Sequence, residues 1–331
     1  VRELNVGKNE GNQRIDKFLR KYLPKASLGF IYKMIRKKNI KVNGGRIDND
    51  YMLQDGDMVQ LYLSEETIEG FSEKKEVKTV RMSFKVVYED ENILLVNKPF
   101  GLLVHGDSRE KKNTLINQVM SYLHAKGEYD PRDEKTFVPA SVNRLDRNTS
   151  GIVIFAKNYE TVQNLNKMIR EKEYIRKYYL TIVKGSVRKG QELKGYLTKD
   201  EDRNRVRLAA REDEDAKEIH TIYKPLKRTD EFSLLEVEII TGRTHQIRLH
   251  LSSIGHPIIG DSKYGNPRIN QMMKKEFGLD TQFLHAYKIF FDKCVGNLTY
   301  LEGKSFEAVL PKRLKDIEDG LINDLEYQEN R

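Results

Sequence analysis

The sequence predicts an α+β protein in two parts: a small αα-ββ unit, then a larger domain with a mixed, mostly antiparallel sheet. Three observations carry this. At 331 residues with 38% hydrophobic side chains, the chain suits one large core plus a smaller module. Apolar residues recur at helical spacing twice before residue 36, and two short strand patterns follow. From Phe84 onward strand patterns far outnumber helical ones and do not alternate with them, which argues against a doubly wound sheet.

Ile15, Phe18, Leu19, Tyr22 and Leu23 form one apolar helical stripe, which Pro24 stops. Ser27 is placed to cap a second helix with Leu28, Ile31, Met34 and Ile35 on one side. Arg36, Lys37 and Lys38 end it, where cations suit the helix dipole. Asn43-Gly44-Gly45 predicts a tight turn between strands, and MVQLYL predicts a second strand after Asp55-Gly56-Asp57. This unit spans residues 12–64. Residues 65–83 lack a core pattern and alternate in charge, so they read as a linker to a domain at 84–331.

In that domain FKVVYED and NILLVNKP predict two strands around a turn at Asp90-Glu91-Asn92. GIVIFAKN predicts a buried strand, and YETVQNLNKMIREK a helix with Val162, Leu165, Met168 and Ile169 inward. KYYLTIVKG and FSLLEVEIITG predict strands, THQIRLHLSSIG a helix start after a glycine turn, and KSFEAVLP a late strand.

The net charge is +9, and its position matters more than its size. Between Arg14 and Lys41 ten Lys/Arg stand against one acid, Asp16, so this short segment alone carries +9. A nearly one-signed cluster in a folded segment is an electrostatic footprint for polyanions such as nucleic acid. The sequence has no run of about 18 apolar residues, so no membrane span is expected. VRELNVGKNEGNQR lacks the apolar core of a secretory signal. The single cysteine, Cys294, points to a reducing, cytoplasmic setting and excludes a Cys-rich zinc site. No phosphate-binding loop, dinucleotide fingerprint or H-E-x-x-H motif is present. His245, His250 and His256 lack metal-ligand spacing and read as polar or core-edge residues. Neither cofactor nor metal is expected. Without a long heptad seam, a monomer is expected.

Two segments look built for chemistry. In VNRLDRNTSGIVIFAKN a carboxylate, Asp146, lies between Arg144 and Arg147. Thr149-Ser150-Gly151 then makes a turn that sets Asp146 at the mouth of a buried strand. Neighbouring cations favour an ionised carboxylate, a state suited to a nucleophile or base. Taken alone, an ion-paired turn aspartate is the commoner explanation. In TGRTHQIRLHLSSIGHPIIGD, Arg243 and Arg248 flank Thr-His-Gln. On a helix Ile247, Leu251 and Ile254 face the core, with Arg248 at the margin of that face. A half-buried arginine needs a carboxylate partner, and Asp146 is a candidate, by need rather than by spacing.

RIDKFLRKYLPKASLGFIYKMIRKKNIKVNGG resembles an S4 RNA-binding domain in its paired basic helices, its Ser27 start and its VNG turn. NRLDRNTSG resembles the central motif H-R-L-D-x-x-T-S-G of the RluA-type pseudouridine synthases, with Asn143 where that family usually has His. NKPFGLLVH, RKYYLTIVKG, TGRTHQIRLHLSSIGHPIIGDSKYG and FLHAYKIFF resemble further motifs of that family, in family order.

The resemblance implies an S4-like RNA-binding domain ahead of a pseudouridine synthase catalytic domain, converting uridine to pseudouridine without cofactor. It implies that Asp146 carries the glycosidic step, by attack on C1′, addition to the uracil ring or proton abstraction from C2′. Arg248 would pair with Asp146. Tyr179 would line the base pocket and take the C5 proton. Arg144 would fill the space of the flipped base or grip a flanking phosphate. Arg14, Lys17, Lys21, Lys33, Arg36, Lys37 and Lys38 are the RNA contacts expected of the basic helices. An S4 unit in front most resembles the RluC/RluD kind, so the expected substrate is large-subunit (23S) ribosomal RNA. The alternatives are a tRNA target and a non-catalytic RNA-binding or ribosome-assembly protein. A glycoside hydrolase generally needs two carboxylates about 5–9.5 Å apart, and no second carboxylate motif accompanies Asp146.

Overall fold

The computed structural model describes residues 1–73, 77, 79–200 and 205–322. Residues 74–76 and 78 of the expected linker, and 201–204 and 323–331 of the expected larger domain, lie outside the described residues. The chain divides into two units. Val1–Met82 groups with Ile116–Ala140 and Ala156–Gln163, and the remainder forms the second unit, so the two interleave along the sequence. Among the described residues no helix is long and apolar enough to cross a membrane.

The first unit begins with β1 (Arg2–Asn5), α1 (Ile15–Tyr22), α2 (Leu28–Arg36), β2 (Ile40–Val42), β3 (Met58–Leu61) and α3 (Glu65–Phe71). The Ser27 Oγ accepts from the Phe30 N–H at 3.2 Å, capping α2 as expected. Ile15, Phe18, Leu19, Leu23 and Ile31 are fully buried. Leu28 was expected among them but stays 38% exposed in the first turn, so the buried stripe of α2 starts at Ile31. Asn43 and Gly44 adopt positive φ, as a two-residue turn requires. The chain does not return as a strand after that turn; β2 pairs instead with β3, which also pairs with β1. β1 precedes the expected boundary at residue 12. The stretch expected as linker opens with α3, capped by Ser64, with Ile68 fully buried and the Phe71 ring 4.6 Å from Phe30. A seven-residue helix with two apolar residues is too short to show a period.

The rest of the chain forms β4 (Lys85–Glu89), β5 (Ile93–Lys98), α4 (Leu115–Ala125), β6 (Ala140–Ser141), β7 (Ser150–Ala156), α5 (Tyr159–Arg170) and β8 (Ile175–Lys184). Then come β9 (Gln191–Asp200), β10 (Arg205–Ala209), β11 (Lys217–Arg228), β12 (Phe232–Ile239), α6 (Gln246–Ser253), α7 (Pro267–Phe277), β13 (Leu284–Phe291), β14 (Ser305–Glu307) and α8 (Lys312–Leu321). The sheet runs β10-β9-β11-β12-β8-β13-β7-β5-β4, with β14 beside β13 and β6 beside β7. β7 and β13 are parallel, whereas β8 through β12 form an antiparallel ladder. The mixed, mostly antiparallel sheet is the one the sequence predicts.

β9, β10 and β11 are not among the expected strands, and β9 and β10 carry no readable strand pattern. Leu197 and Val206 are the buried apolar residues of β9 and β10, so this hairpin has only a thin apolar face. Every residue of β7 is buried, and its second position must be glycine. A Cβ on Gly151 would sit 2.2 Å from the Ala286 carbonyl oxygen of β13, and its φ is +117°. That close approach brings β7 and β13 together beneath the Asp146 turn.

Candidate active site

The Asp146 turn is held from three sides. The Thr149 N–H donates to the Asp146 carbonyl at 3.0 Å, closing a turn over Arg147-Asn148; Ser150 and Gly151, expected in the turn, already begin β7. The Asn143 side chain accepts from the Ile154 N–H at 2.8 Å and donates to the Ile152 carbonyl at 3.3 Å, so it ties the segment to β7. Lys98 at the end of β5 is fully buried. Its ammonium donates to the carbonyls of Pro99, Leu102 and Arg147 at 2.8–3.0 Å, filling its three donors and clamping the residue after Asp146. Burial pushes the Lys98 pKa down to about 7, with the Asp146 charge opposing. Behind the turn, His285 Nε2 meets the Ala308 carbonyl at 3.1 Å. A carbonyl only accepts, so Nε2 carries the proton and Nδ1 accepts from the Ser150 hydroxyl at 2.8 Å. The L-H-A strand therefore holds the sheet together beneath the turn.

Arg248 is 4% exposed, deeper than the margin position expected for it. Its guanidinium bridges two carboxylates. Nε and Nη2 form a bidentate pair with Asp261 at 2.7 and 2.8 Å, and Nη1 donates to Asp146 Oδ2 at 3.1 Å. The carboxylate that the buried charge needs is chiefly Asp261. Asp261 also accepts from the backbone N–H groups of Lys263 and Tyr264. Burial works against the Asp261 charge, yet the hydrogen bond and charge of Arg248 outweigh it and hold its pKa below the ordinary range. Ile254, expected in the core, is only half-buried.

A cavity of about 70 Å³ opens over this pair. Asp146, Tyr179 and Arg248 all line it, so the three residues expected to act together do meet, with Arg144 at its rim. Among its described lining residues Asp146 is the one carboxylate. Tyr179 is 6% exposed, and burial, with Asp146 adding to it, raises its phenol above the usual range.

His245 also lines the cavity, although its sequence context reads as core-edge. It holds a left-handed backbone, φ +55°, just ahead of α6, a conformation costly for a histidine and typical of sites under functional constraint. Its Nε2 lies 3.8 Å from Asp146 Oδ2 and its Nδ1 3.0 Å from the Tyr264 hydroxyl. Burial pushes the imidazole below its usual pKa, more than the facing Asp146 pulls it up. The Tyr264 oxygen in turn accepts from the Val206 N–H of β10 at 2.8 Å. Gln246 accepts from the Thr241 hydroxyl and the Arg243 N–H, and donates to the His220 carbonyl and the Thr221 hydroxyl of β11. These bonds fix the loop before α6 and leave Arg243 exposed. Asp261, His245, Tyr264 and Lys98 lie within the family-like segments but carry no local signal of a site role, because each matters through a hydrogen bond that only the fold closes.

Of the residues expected to touch RNA on the basic helices, Lys17, Lys33, Arg36, Lys37 and Lys38 are exposed. Two are engaged by the protein. Arg14 pairs with Asp16 at 2.9 Å. Lys21 donates to Gln13 at 3.2 Å and lies over the Tyr159 ring, and burial lowers its pKa.

Residues 92–253 match the family described as RNA pseudouridylate synthase, and residues 13–59 match the S4 domain. The ribosomal large subunit pseudouridine synthase C of Haemophilus influenzae is 34% identical over 296 residues, covering 88% of this chain and 87% of the relative. An uncharacterised RNA pseudouridine synthase of Mycoplasma capricolum is 35% identical over 304 residues, covering 90% and 94%. Among solved structures, human RNA pseudouridylate synthase domain containing 4 aligns with a TM-score of 0.57 at 22% identity, covering 71% of this chain and 92% of that one. That likeness bears on the fold alone.

Proposed function

The chain belongs to the RNA pseudouridylate synthase family, and on that premise we propose that Asp146 runs the isomerisation of uridine in large-subunit ribosomal RNA, with Arg248 and Tyr179 as its partners. The carrying observation is the meeting in one cavity of Asp146, Tyr179 and Arg248, two of which are 102 positions apart. The choice of RNA rests on the S4 match and on the names of the relatives.

In the reaction the N1–C1′ bond breaks, the uracil turns, and C5 bonds to C1′. C5 loses a proton and N1 gains one, so atoms balance without redox change or cofactor. The target nucleotide leaves its stack to reach the cavity. Arg248 and His245 both approach Oδ2 of Asp146, and Arg248 orients it, which leaves Oδ1 for the sugar. Burial and the Asp146 charge both oppose a tyrosinate at Tyr179. Tyr179 is therefore a neutral phenol, and it takes the C5 proton only as it passes its own hydroxyl proton to the Asp146 carboxylate that shares the cavity, once C5 has bonded to C1′. Asp261 supplies no second catalytic carboxylate, because its side chain is fully buried and committed to Arg248. That removes the geometry a glycoside hydrolase needs. The protein is read as a monomer of a reducing compartment. Burial pushes its one thiol, Cys294, up to about 11, a form inert at neutral pH.

Asp146→Asn keeps the size and removes the charge. It should abolish C5-tritium release from labelled large-subunit ribosomal RNA while leaving RNA binding intact. Wild-type release from that variant would remove Asp146 from the reaction.

A further inference from the structure

The β9–β10 hairpin has no part in the chemistry above, yet a second cavity of about 430 Å³ lies against it. That is within the range of roughly 300–1,000 Å³ typical of ligand sites. Among the described residues its charged lining is Arg144, Lys199, Arg205, Lys217 and Arg243 against Asp215, five cations to one carboxylate. The adjoining turn also carries Glu212, Asp213 and Glu214, but these do not border the cavity. Arg144, Arg205, Lys217 and Arg243 are exposed. They come from separate stretches of chain: the Asp146 turn, the starts of β10 and β11, and the loop before α6.

The two cavities share a wall. Arg144, Gly242, Arg243 and His245 border both. The hairpin is pinned there by the Val206–Tyr264–His245 hydrogen bonds, which end beside Asp146. Cations spread over several elements suit a run of phosphates better than a single anion. A nucleotide drawn out of its stack has locally single-stranded backbone on either side.

We propose that this groove binds the backbone phosphates of single-stranded RNA next to the extruded nucleotide, with Arg205, Lys217 and Arg243 as contacts beyond Arg144. The assignment to RNA rests on the family reading above.

The test compares three proteins binding labelled oligouridylate by fluorescence anisotropy between about 50 and 200 mM salt. These are the wild type, Arg205→Gln/Lys217→Gln, and Arg188→Gln/Lys189→Gln. The last removes the same charge from exposed residues outside the groove. Two lost phosphate contacts on a single strand, at about 0.7 each, should lower the slope of log K against log salt by about 1.4 in the groove variant alone. An unchanged slope overturns the proposal, as does an equal fall in both variants. An equal effect on a blunt RNA duplex overturns the assignment to single strands. Tritium release by the wild type separates the two readings. Release with an unchanged groove slope sinks the groove and keeps the enzyme; no release with the slope shifted does the reverse.

Discussion

At the residue scale the site turns on one arginine serving two carboxylates. Asp261 has no exposed side-chain surface, so Arg248→Ala strands a buried charge. Breaking such a pair typically costs about 3–5 kcal/mol, and the variant should unfold at markedly lower denaturant than the wild type. Loss of activity in that variant would then confound stability with chemistry. The double variant Arg248→Ala/Asp261→Asn relieves the stranded charge. It should recover part of the stability and none of the activity. Recovered turnover would show that Arg248 serves the fold alone. Tyr179→Phe keeps the cavity wall and removes the hydroxyl. It should bind RNA like the wild type and lose tritium release by about 10²–10⁴-fold, the usual weight of an acid–base group. A loss below about tenfold would reduce Tyr179 to a wall residue.

At the element scale β7 and β13 hold the Asp146 turn in place, and His285 links them as a neutral imidazole. Burial pushes its pKa down to about 4, with the Ala308 carbonyl opposing. Burial first and the charge of His220 second take His250 of α6 to about 4 as well. In the unfolded chain both take up a proton near the ordinary histidine value of about 6.5. Between those values the unfolded state binds more protons, so stability present above pH 6.5 is lost as pH falls toward 4. Each histidine contributes on the order of 1.4 kcal/mol per pH unit in that window. The urea midpoint of the wild type should fall across it, and His285→Gln should flatten the fall. An identical slope in that variant would mean that His285 titrates normally in the fold.

At the scale of the whole molecule two basic features fall in different units: the helices α1 and α2 in one, and the groove beside β9 and β10 in the other. Lys33, Arg36 and Lys37 are exposed on α2 and just after it. Replacing all three by Gln should lower the salt slope of ribosomal RNA binding by up to about 2–3. Combined with the groove variant, the losses should add, as separate sites do. A slope unmoved by the α2 substitutions would take that helix out of the RNA interface.

Much of this was legible in the sequence, for physical reasons that differ by residue. The paired helices show because their buried stripes, Ile15 to Leu23 and Ile31 to Ile35, repeat at helical spacing. β7 shows because it is buried on both faces; Gly151 reads as a turn residue in sequence, and only the structure shows it is needed where β7 closely approaches β13. Asp146 shows because a turn, two cations and a buried strand are neighbours in sequence. β9 and β10 stayed hidden because a strand with one thin apolar face and mixed charges has no period to read. Asp261, His245, Tyr264 and Lys98 stayed hidden for another reason. Each gains its meaning from a hydrogen bond to a residue that the fold alone brings near. The sequence by itself singled out Asp146 as the candidate carboxylate. Only the tertiary structure decided that Arg248 is shared between Asp146 and Asp261, because a buried guanidinium takes whichever carboxylates the packing sets around its five donors.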